Sequence, residues 1–249
     1  VAAVILEPTL LTPPAPGFLE GIRDLAHQHG ALLIFDEIVT GFRWARAGGQ
    51  EYFGVTPDLA TFGKGMANGF PLACLVGRRD IMQHADLVSG TFGGDCLALA
   101  ACQAVLDVYE REPVIADLWR IGAAFRDGLS ALLGKYDIPA VMDGYGVHPR
   151  LRFVSRTDRP DGIVRLLTTE HATLLMSLFL EEMAARGVLL HPAGWNVSYT
   201  HTERDVTQSL AAADAAFDVC AKALAAGDLR TRLRGAPVDA GDQLVRSPA

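Results

Sequence analysis

Cysteine is scarce in this chain, with four residues among 249. They show neither CxxC spacing nor a partner pattern that includes histidine, which favours buried thiols over a disulfide framework or a zinc site. The four are Cys74, Cys96, Cys102 and Cys220. His191 and His201 share no helical face with other ligand types, so capping or core packing is their expected role. The sequence therefore predicts no metal centre.

Positive charge is also in short supply, because 22 Lys and Arg residues stand against 29 Asp and Glu, for a net charge of -7. Without a dense basic block there is no electrostatic case for nucleic acid or an anionic membrane as partner. No apolar run approaches the ~20 residues that span a bilayer, and the N-terminus lacks a signal-peptide pattern. We expect a globular protein of the cytoplasm with an ample core.

An initial methionine is missing as well. The chain opens on Val1 and goes directly into "VAAVIL", which has the pattern of a core strand. A core strand at the very start of a chain leads us to expect a fragment of a longer protein.

Two apolar runs that each end in an acid, "VAAVILEP" at 1–8 and "ALLIFDE" at 31–37, are typical of strands buried on both faces. Apolar residues at helical spacing lie between them, and Gly30 follows as a C-cap. This predicts a βαβ unit with a right-handed crossover in a mostly parallel sheet covered by helices. Ligand sites in such sheets lie at the carboxyl ends of the strands, where Glu7 and Asp36 fall.

The remaining pattern predicts further strands at 59–62 and 72–76, and then a second, α+β region. Asp95 is the expected N-cap of an Ala-rich helix, and Thr202 with Asp205 resembles a capping box. Strands are also expected at 140–142, 151–154 and 188–190, and helices at 113–133, 169–186 and from the capping box to 226. The predicted fold class is α/β, followed by an α+β unit that ends near residue 226 and by a Gly- and Pro-containing tail at 227–249 that we expect to be mobile.

Lys64 lies between two glycines in "TFGKGMANGFP". A phosphate-binding Walker A loop would need Gly at 58 and Ser or Thr at 65, but these positions are Asp58 and Gly65. Taken alone, Lys64 would be a solvated loop lysine, and Asp36 would be an N-cap or an ion-pair partner of Arg43.

Considered together, Lys64 and Asp36 favour a different interpretation, in which both residues bind a cofactor. A lysine that forms a Schiff base and an acid that partners the pyridine nitrogen are the recurring protein groups around pyridoxal 5'-phosphate (PLP). At an effective dielectric near 20, a carboxylate about 4 Å from a pyridinium contributes on the order of 4 kcal/mol, roughly three pKa units. That is enough to keep the ring nitrogen protonated.

A Gly-rich turn, "SGTFGGD" at 89–95, leads into the Ala-rich helix. Its backbone N–H groups, the helix dipole and the Thr91 hydroxyl suit a phosphate group. Ordinary helix capping by Asp95 explains the same residues equally well, so the loop by itself leaves both readings open.

Taken together, the motifs resemble fold-type I PLP enzymes, specifically the class III aminotransferases and their glutamate-1-semialdehyde 2,1-aminomutase subgroup. The matching stretches are "EP" at 7–8, "FDEIVTGFR" at 35–43, "GVTPDLATFGKGMANGFPLACLVGRRDIM" at 54–82, "GTFGG" at 90–94 and "HTERD" at 201–205. The interval of 64 − 36 = 28 residues between the acid and the lysine also agrees with the family.

The resemblance implies that residues 1–115 are the C-terminal part of a PLP-binding large domain and that residues 116–226 are a small α+β C-terminal domain. It also implies a PLP-dependent enzyme in which Lys64 is the Schiff-base lysine and proton shuttle. It implies that Asp36 partners the pyridine nitrogen and that Ile38 packs against one face of the ring. Thr91 would bind the cofactor phosphate of the neighbouring subunit in a homodimer. Glu7 would lie near the cofactor, with a structural role and a direct role left open.

Three functions follow as hypotheses. The first is an aminotransferase that moves an amino group from a small-molecule donor to a carbonyl acceptor. The second is an intramolecular aminomutase: Val39 stands where ordinary transaminases carry Gln, which fits this subgroup, whereas Ala193 stands where aminomutases carry Glu. The third is a non-catalytic fragment, because the family's N-terminal half, with its own phosphate loop and ring-stacking aromatic residue, is absent from the sequence.

Overall fold

The structure is a computed structural model, and it describes residues 1–84, 90, 93–136, 138–154 and 170–238. The chain divides into two structural units, Val1–Trp119 and Arg120–Ala249. The described helices are α1 (Phe18–Gln28), α2 (Gly49–Phe53), α3 (Arg79–Met82), α4 (Cys96–Arg111), α5 (Val114–Tyr136), α6 (Glu170–Ala185), α7 (Glu203–Ala226) and α8 (Leu229–Arg232). The described strands are β1 (Ala3–Leu6), β2 (Leu32–Asp36), β3 (Leu59–Phe62), β4 (Cys74–Gly77), β5 (Ala140–Tyr145) and β6 (His148–Phe153).

The first unit contains a four-stranded sheet in the order β1-β2-β3-β4. β1 pairs with β2 and β2 with β3 in parallel, whereas β4 is antiparallel to β3. The predicted α/β class and mostly parallel sheet are thus confirmed, with β4 making the sheet mixed. β1, α1 and β2 form the predicted βαβ unit, and Gly30 follows α1 with a positive φ of 65°, as a C-terminal glycine should.

Side chains alternate across this sheet, and one face forms the core of the unit. Leu33 and Phe35 of β2 are fully buried against Leu19 of α1. On the opposite face of the same sheet Ile5 remains 62% exposed. The sequence predicted β1 to be buried on both faces, and within the described chain only one face of β1 is covered.

The second unit pairs an antiparallel hairpin, β5–β6, with helices. Leu151 and Phe153 of β6 join a core that includes Phe179 of α6 and Phe217 of α7, whose rings stack at 4.8 Å. The capping box is confirmed, because the Thr202 side chain and the Asp205 side chain each accept from the other's backbone N–H. The strand predicted at 188–190 is wrong: these described residues form no strand.

The tail begins with ordered contacts. α8 follows Gly227, Leu229 is buried, and the Arg234 and Gly235 N–H groups donate to Glu181 of α6. Residues 239–249 lie outside the described part. The assignment of the two units to a large and a small family domain, and the mobility of the tail, stay predictions.

Within the described residues, no helix has the combination of length and apolar character needed to cross a membrane.

Candidate functional site

Three ionisable side chains gather where the parallel strands end. Glu7 directly follows β1, Asp36 is the last residue of β2, and Lys64 comes two residues after β3. The register pairs Leu6 with Phe35 and Asp36 with Thr61, so the strands finish level with one another. This is the carboxyl edge of the sheet, where α/β folds place their ligands.

Asp36 is held by one of its two carboxylate oxygens. Oδ1 accepts the Ile38 N–H at 3.0 Å and the Thr61 hydroxyl at 3.4 Å. All hydrogen bonds to this side chain from described residues go to Oδ1. The half-buried carboxylate is therefore fixed in direction, and its Oδ2 accepts no hydrogen bond from the described residues.

Lys64 starts a single 3-10 turn, Lys64–Met66, and has a positive φ of 44°. Such a torsion is uncommon for a residue with a side chain and indicates a backbone constrained by its surroundings. The preceding Gly63 permits a close approach, because a Cβ there would lie 3.0 Å from Cδ1 of Ile38. Ile38 therefore packs beside the lysine turn, and the Lys64 side chain itself remains exposed.

Electrostatics links the three groups. Desolvation raises the pKa of Glu7 above its ordinary value, the negative charge of Asp36 raises it further, and the positive charge of Lys64 lowers it. These opposing effects require Asp36 and Lys64 to lie within interaction range of the same carboxyl group. The structure thus brings together Glu7, Asp36, Ile38 and Lys64, all four of which the sequence selected.

Thr91 lies outside the described residues. Of its Gly-rich turn, the structure describes Gly90, Gly93 and Gly94, and the Gly93 N–H donates to the Gly90 carbonyl at 2.9 Å. Asp95 caps α4, since its Oδ1 accepts the Ala98 N–H at 2.9 Å. Capping by Asp95 is confirmed, and phosphate binding by Thr91 stays a prediction.

Glu37 has a structural role that the sequence analysis missed. It is fully buried, Oε1 accepts the Gln50 N–H at 2.8 Å, and Oε2 accepts the Gly49 N–H at 2.7 Å and a very short hydrogen bond from Thr40. A Cβ at Gly49 would lie 2.5 Å from Cγ of Pro8, so this turn also packs on the residue after Glu7. Burial raises the pKa of Glu37, and the hydrogen bonds oppose that rise.

The signal for Glu37 was present in the strand alternation. Leu33, Phe35 and Glu37 follow one another at every second position, and all three are fully buried. Asp36 points to the other face. Of the two adjacent acids in "FDE", Asp36 therefore lies at the candidate site, and Glu37 stabilises the fold.

A second buried carboxylate lies at the opposite, amino-terminal edge of the sheet. Asp58 Oδ2 accepts a hydrogen bond from the Leu33 N–H at 2.8 Å, and Oδ1 forms an ion pair with Arg78 Nη1 at 2.9 Å. His27 Nε2 lies 2.9 Å from Oδ2. Burial opposes ionisation of Asp58, but the bonds from Leu33, Arg78 and His27 outweigh it and lower the pKa.

The histidines and cysteines form no metal cluster in the part of the chain that the structure describes. Nδ1 of His191 accepts the Ala193 N–H, and Nδ1 of His201 accepts the Ser198 N–H, both at 3.1 Å. These local hydrogen bonds are of the capping type expected from the sequence.

The chain is similar to known proteins along most of its length. A family model for class III aminotransferases matches residues 1–224. Among curated relatives, a glutamate-1-semialdehyde 2,1-aminomutase of Syntrophobacter fumaroxidans is 39% identical over 229 residues, covering 87% of this chain and 52% of the relative. Glutamate-1-semialdehyde 2,1-aminomutase 2 of Exiguobacterium sibiricum is 37% identical, with coverage of 87% and 51%.

Solved structures agree with this match. The FumI protein of Sphingopyxis sp. MTA144, in its PLP internal aldimine form, is 27% identical with a TM-score of 0.78, covering 90% of this chain and 53% of that chain. A PLP-bound amine transaminase from an uncultivated Pseudomonas species is also 27% identical, with a TM-score of 0.76 and coverage of 88% and 52%. The chain spans about half the length of the proteins it matches.

Proposed function

Because this chain belongs to the class III aminotransferase family, we propose that the whole protein is a PLP-dependent aminotransferase. It would move an amino group from a small-molecule donor to a carbonyl acceptor, with Lys64 and Asp36 as catalytic residues. One observation carries the proposal. Glu7, Asp36 and Lys64 lie at the carboxyl edge of the sheet, and Asp36 and Lys64 are both within electrostatic range of Glu7.

The residues at this edge suit PLP by their chemistry. A carboxylate whose Oδ1 is held and whose Oδ2 is available matches a protonated ring nitrogen, and an exposed lysine amine matches an aldehyde. Ile38, packed beside the lysine turn, offers an apolar contact for the ring. When bound, PLP supplies an electron sink for the substrate carbanion.

The protein's own groups would bind, orient and move protons. Asp36 would hold the ring nitrogen protonated through its fixed carboxylate. Lys64 would hold the cofactor at its aldehyde and carry a proton to and from the substrate carbon as base and acid. Glu7, whose pKa is raised by desolvation and by the charge of Asp36, would lie beside the Asp36 carboxylate near the cofactor. Thr91 would bind the cofactor phosphate of the neighbouring subunit in a homodimer.

The test is covalent trapping in the full-length protein. We expect borohydride reduction after loading with PLP to leave the cofactor attached to Lys64, as peptide mass spectrometry would detect. Lys64→Ala should abolish the attachment. A cofactor that is retained but trapped on another lysine would refute the assignment of Lys64.

An intramolecular aminomutase is the second candidate, favoured by the two aminomutase relatives and by Val39. A single-turnover assay with and without an added keto acid distinguishes the two reactions. A transaminase needs the acceptor for turnover, whereas a mutase does not.

The alternative of a non-catalytic fragment applies to the 249-residue chain itself. Isothermal titration with PLP would show whether this chain alone binds the cofactor tightly. Feeble binding by the chain together with tight binding by the full-length protein would locate the missing contacts in the other half. We also propose a cytoplasmic location, which cell fractionation tests.

A further inference from the structure

The β5–β6 hairpin has one apolar and one charged face. Leu151 and Phe153 enter the core of the second unit, so Arg150 and Arg152, which alternate with them, lie on the other face. The antiparallel register places Asp143 directly opposite Arg150. Two guanidinium groups and one carboxylate therefore share this face.

Charge on this face is not balanced. Arg152 Nη2 forms a short ion pair with Asp143 Oδ2, and these side chains are only 17% and 19% exposed. Arg150 is also half-buried. Among the described residues of this face, one positive charge is therefore left over in a partly desolvated setting, where an unpaired charge is costly.

Specific atoms on the face lack partners. Arg150 Nε, Arg152 Nε and Asp143 Oδ1 are buried and have no hydrogen-bond partner in the structure as described. Burial lowers the pKa of Arg150, attraction to Asp143 raises it, and repulsion from Arg152 lowers it. A buried polar atom without a partner costs free energy, and an acceptor bound at the terminal N–H groups of Arg150 would reduce the total cost of this face.

We propose that this face, formed by Asp143, Arg150 and Arg152, is a binding site for a small oxyanion. Its ligand carries a carboxylate or a phosphate group, whose oxygens accept from the terminal N–H groups of Arg150. The planar fork of arginine matches both groups, because it can donate two parallel hydrogen bonds to two oxygens. The ligand would also offset the excess positive charge.

The experiment is calorimetric titration of the PLP-loaded full-length protein with inorganic phosphate and, separately, with acetate. Both run at constant ionic strength, because screening alone changes surface electrostatics. Arg150→Gln should weaken binding by about tenfold or more, since it removes charge-assisted hydrogen bonds. Arg230→Gln is the matched control. Arg230 is a 66% exposed arginine of the same unit, paired with Glu170 at 3.3 Å, and its loss should leave binding unchanged.

A second variant acts in the opposite direction. Asp143→Asn removes the competing carboxylate, so binding should become tighter than in the wild type. Binding of phosphate alone would identify a phosphate site, binding of acetate alone a carboxylate site, and binding of both a general oxyanion site.

The proposal is wrong if neither ion binds saturably or if Arg150→Gln binds as the wild type does. It is also wrong if Asp143→Asn fails to tighten binding. None of these results bears on Lys64, so the proposed function stands or falls separately.

Discussion

The carboxylates at the two edges of the four-stranded sheet have opposite electrostatic environments. At the amino-terminal edge, Asp58 receives the Leu33 amide, Arg78 and His27, and its pKa is lowered. At the carboxyl edge, Glu7 and Asp36 lie near one another, Lys64 offsets them, and the pKa of Glu7 is raised. A closed set of partners stabilises a fold, whereas an incompletely compensated set is typical of a site that awaits a ligand.

Among substitutions at the two edges, the largest expected effect is the loss of activity caused by replacing Lys64. Lys64→Ala should lower turnover of the full-length protein about a thousandfold or more, because under the proposed function one residue would serve as both cofactor anchor and proton carrier. Its free energy of unfolding should hardly change, since the side chain is exposed. Lys222→Ala, which removes a lysine paired with Asp218 on α7, is the control and should retain activity.

Asp36→Asn comes next. This substitution keeps the shape of the side chain and removes the negative charge that would stabilise the protonated ring nitrogen. We therefore expect kcat to fall roughly a hundredfold. The cofactor absorbance spectrum should change together with the rate. A variant with normal kcat would show that Asp36 is only a strand-end cap.

Asp58→Ala should affect stability and leave the chemistry intact. It leaves the buried Leu33 amide without its acceptor, breaks the ion pair with Arg78 and removes the hydrogen-bond contact with His27, so the unfolding free energy should fall by about 2–4 kcal/mol. Urea unfolding measures this, and Asp80→Asn is a control on an exposed acid that also pairs with Arg78. A loss of activity in folded Asp58→Ala would contradict the division of roles between the two edges.

The smallest expected effect is a difference in pH dependence. The pKa of Asp58 is lowered, so its stabilising contribution is present above the ordinary value of 3.8 and is lost as pH falls through the lowered pKa. The pKa of Glu7 is raised, so its contribution is present below the ordinary value of 4.5 and is lost as pH rises through the raised pKa.

Unfolding free energies measured across pH would separate the two carboxylates. Asp58→Asn should flatten the acid-side loss of stability, and Glu7→Gln should become more stable relative to the wild type as pH rises. Equal slopes for both variants would contradict the assigned pKa directions.

Much of this layout could be predicted from local sequence. Apolar runs located β1, β2 and β3, and the rule that parallel strands end at one edge brought Glu7 and Asp36 together. Lys64 was added by the chemistry of PLP sites, in which a lysine accompanies such an acid. Asp95 and the Thr202–Asp205 pair were recognisable because a cap and its acceptor lie within a few residues of each other.

Hydrogen-bond partners that are far apart in the sequence could not be predicted from local patterns. Asp58 bonds to His27, Leu33 and Arg78, which lie 31, 25 and 20 residues away, and no periodicity links such positions. Glu37 bonds to Gly49 and Gln50 across a turn whose shape the sequence does not specify. The charged face of β5–β6 depends on a cross-strand register, which only the folded hairpin establishes.

The shared electrostatics of the carboxyl edge can be measured most directly through Glu7 itself, by NMR titration of its side chain. The account predicts a pKa above 4.5 in the wild type, a higher value in Lys64→Ala and a lower value in Asp36→Asn. A Glu7 pKa that stays at its ordinary value and ignores both substitutions would show that the three groups do not form one site.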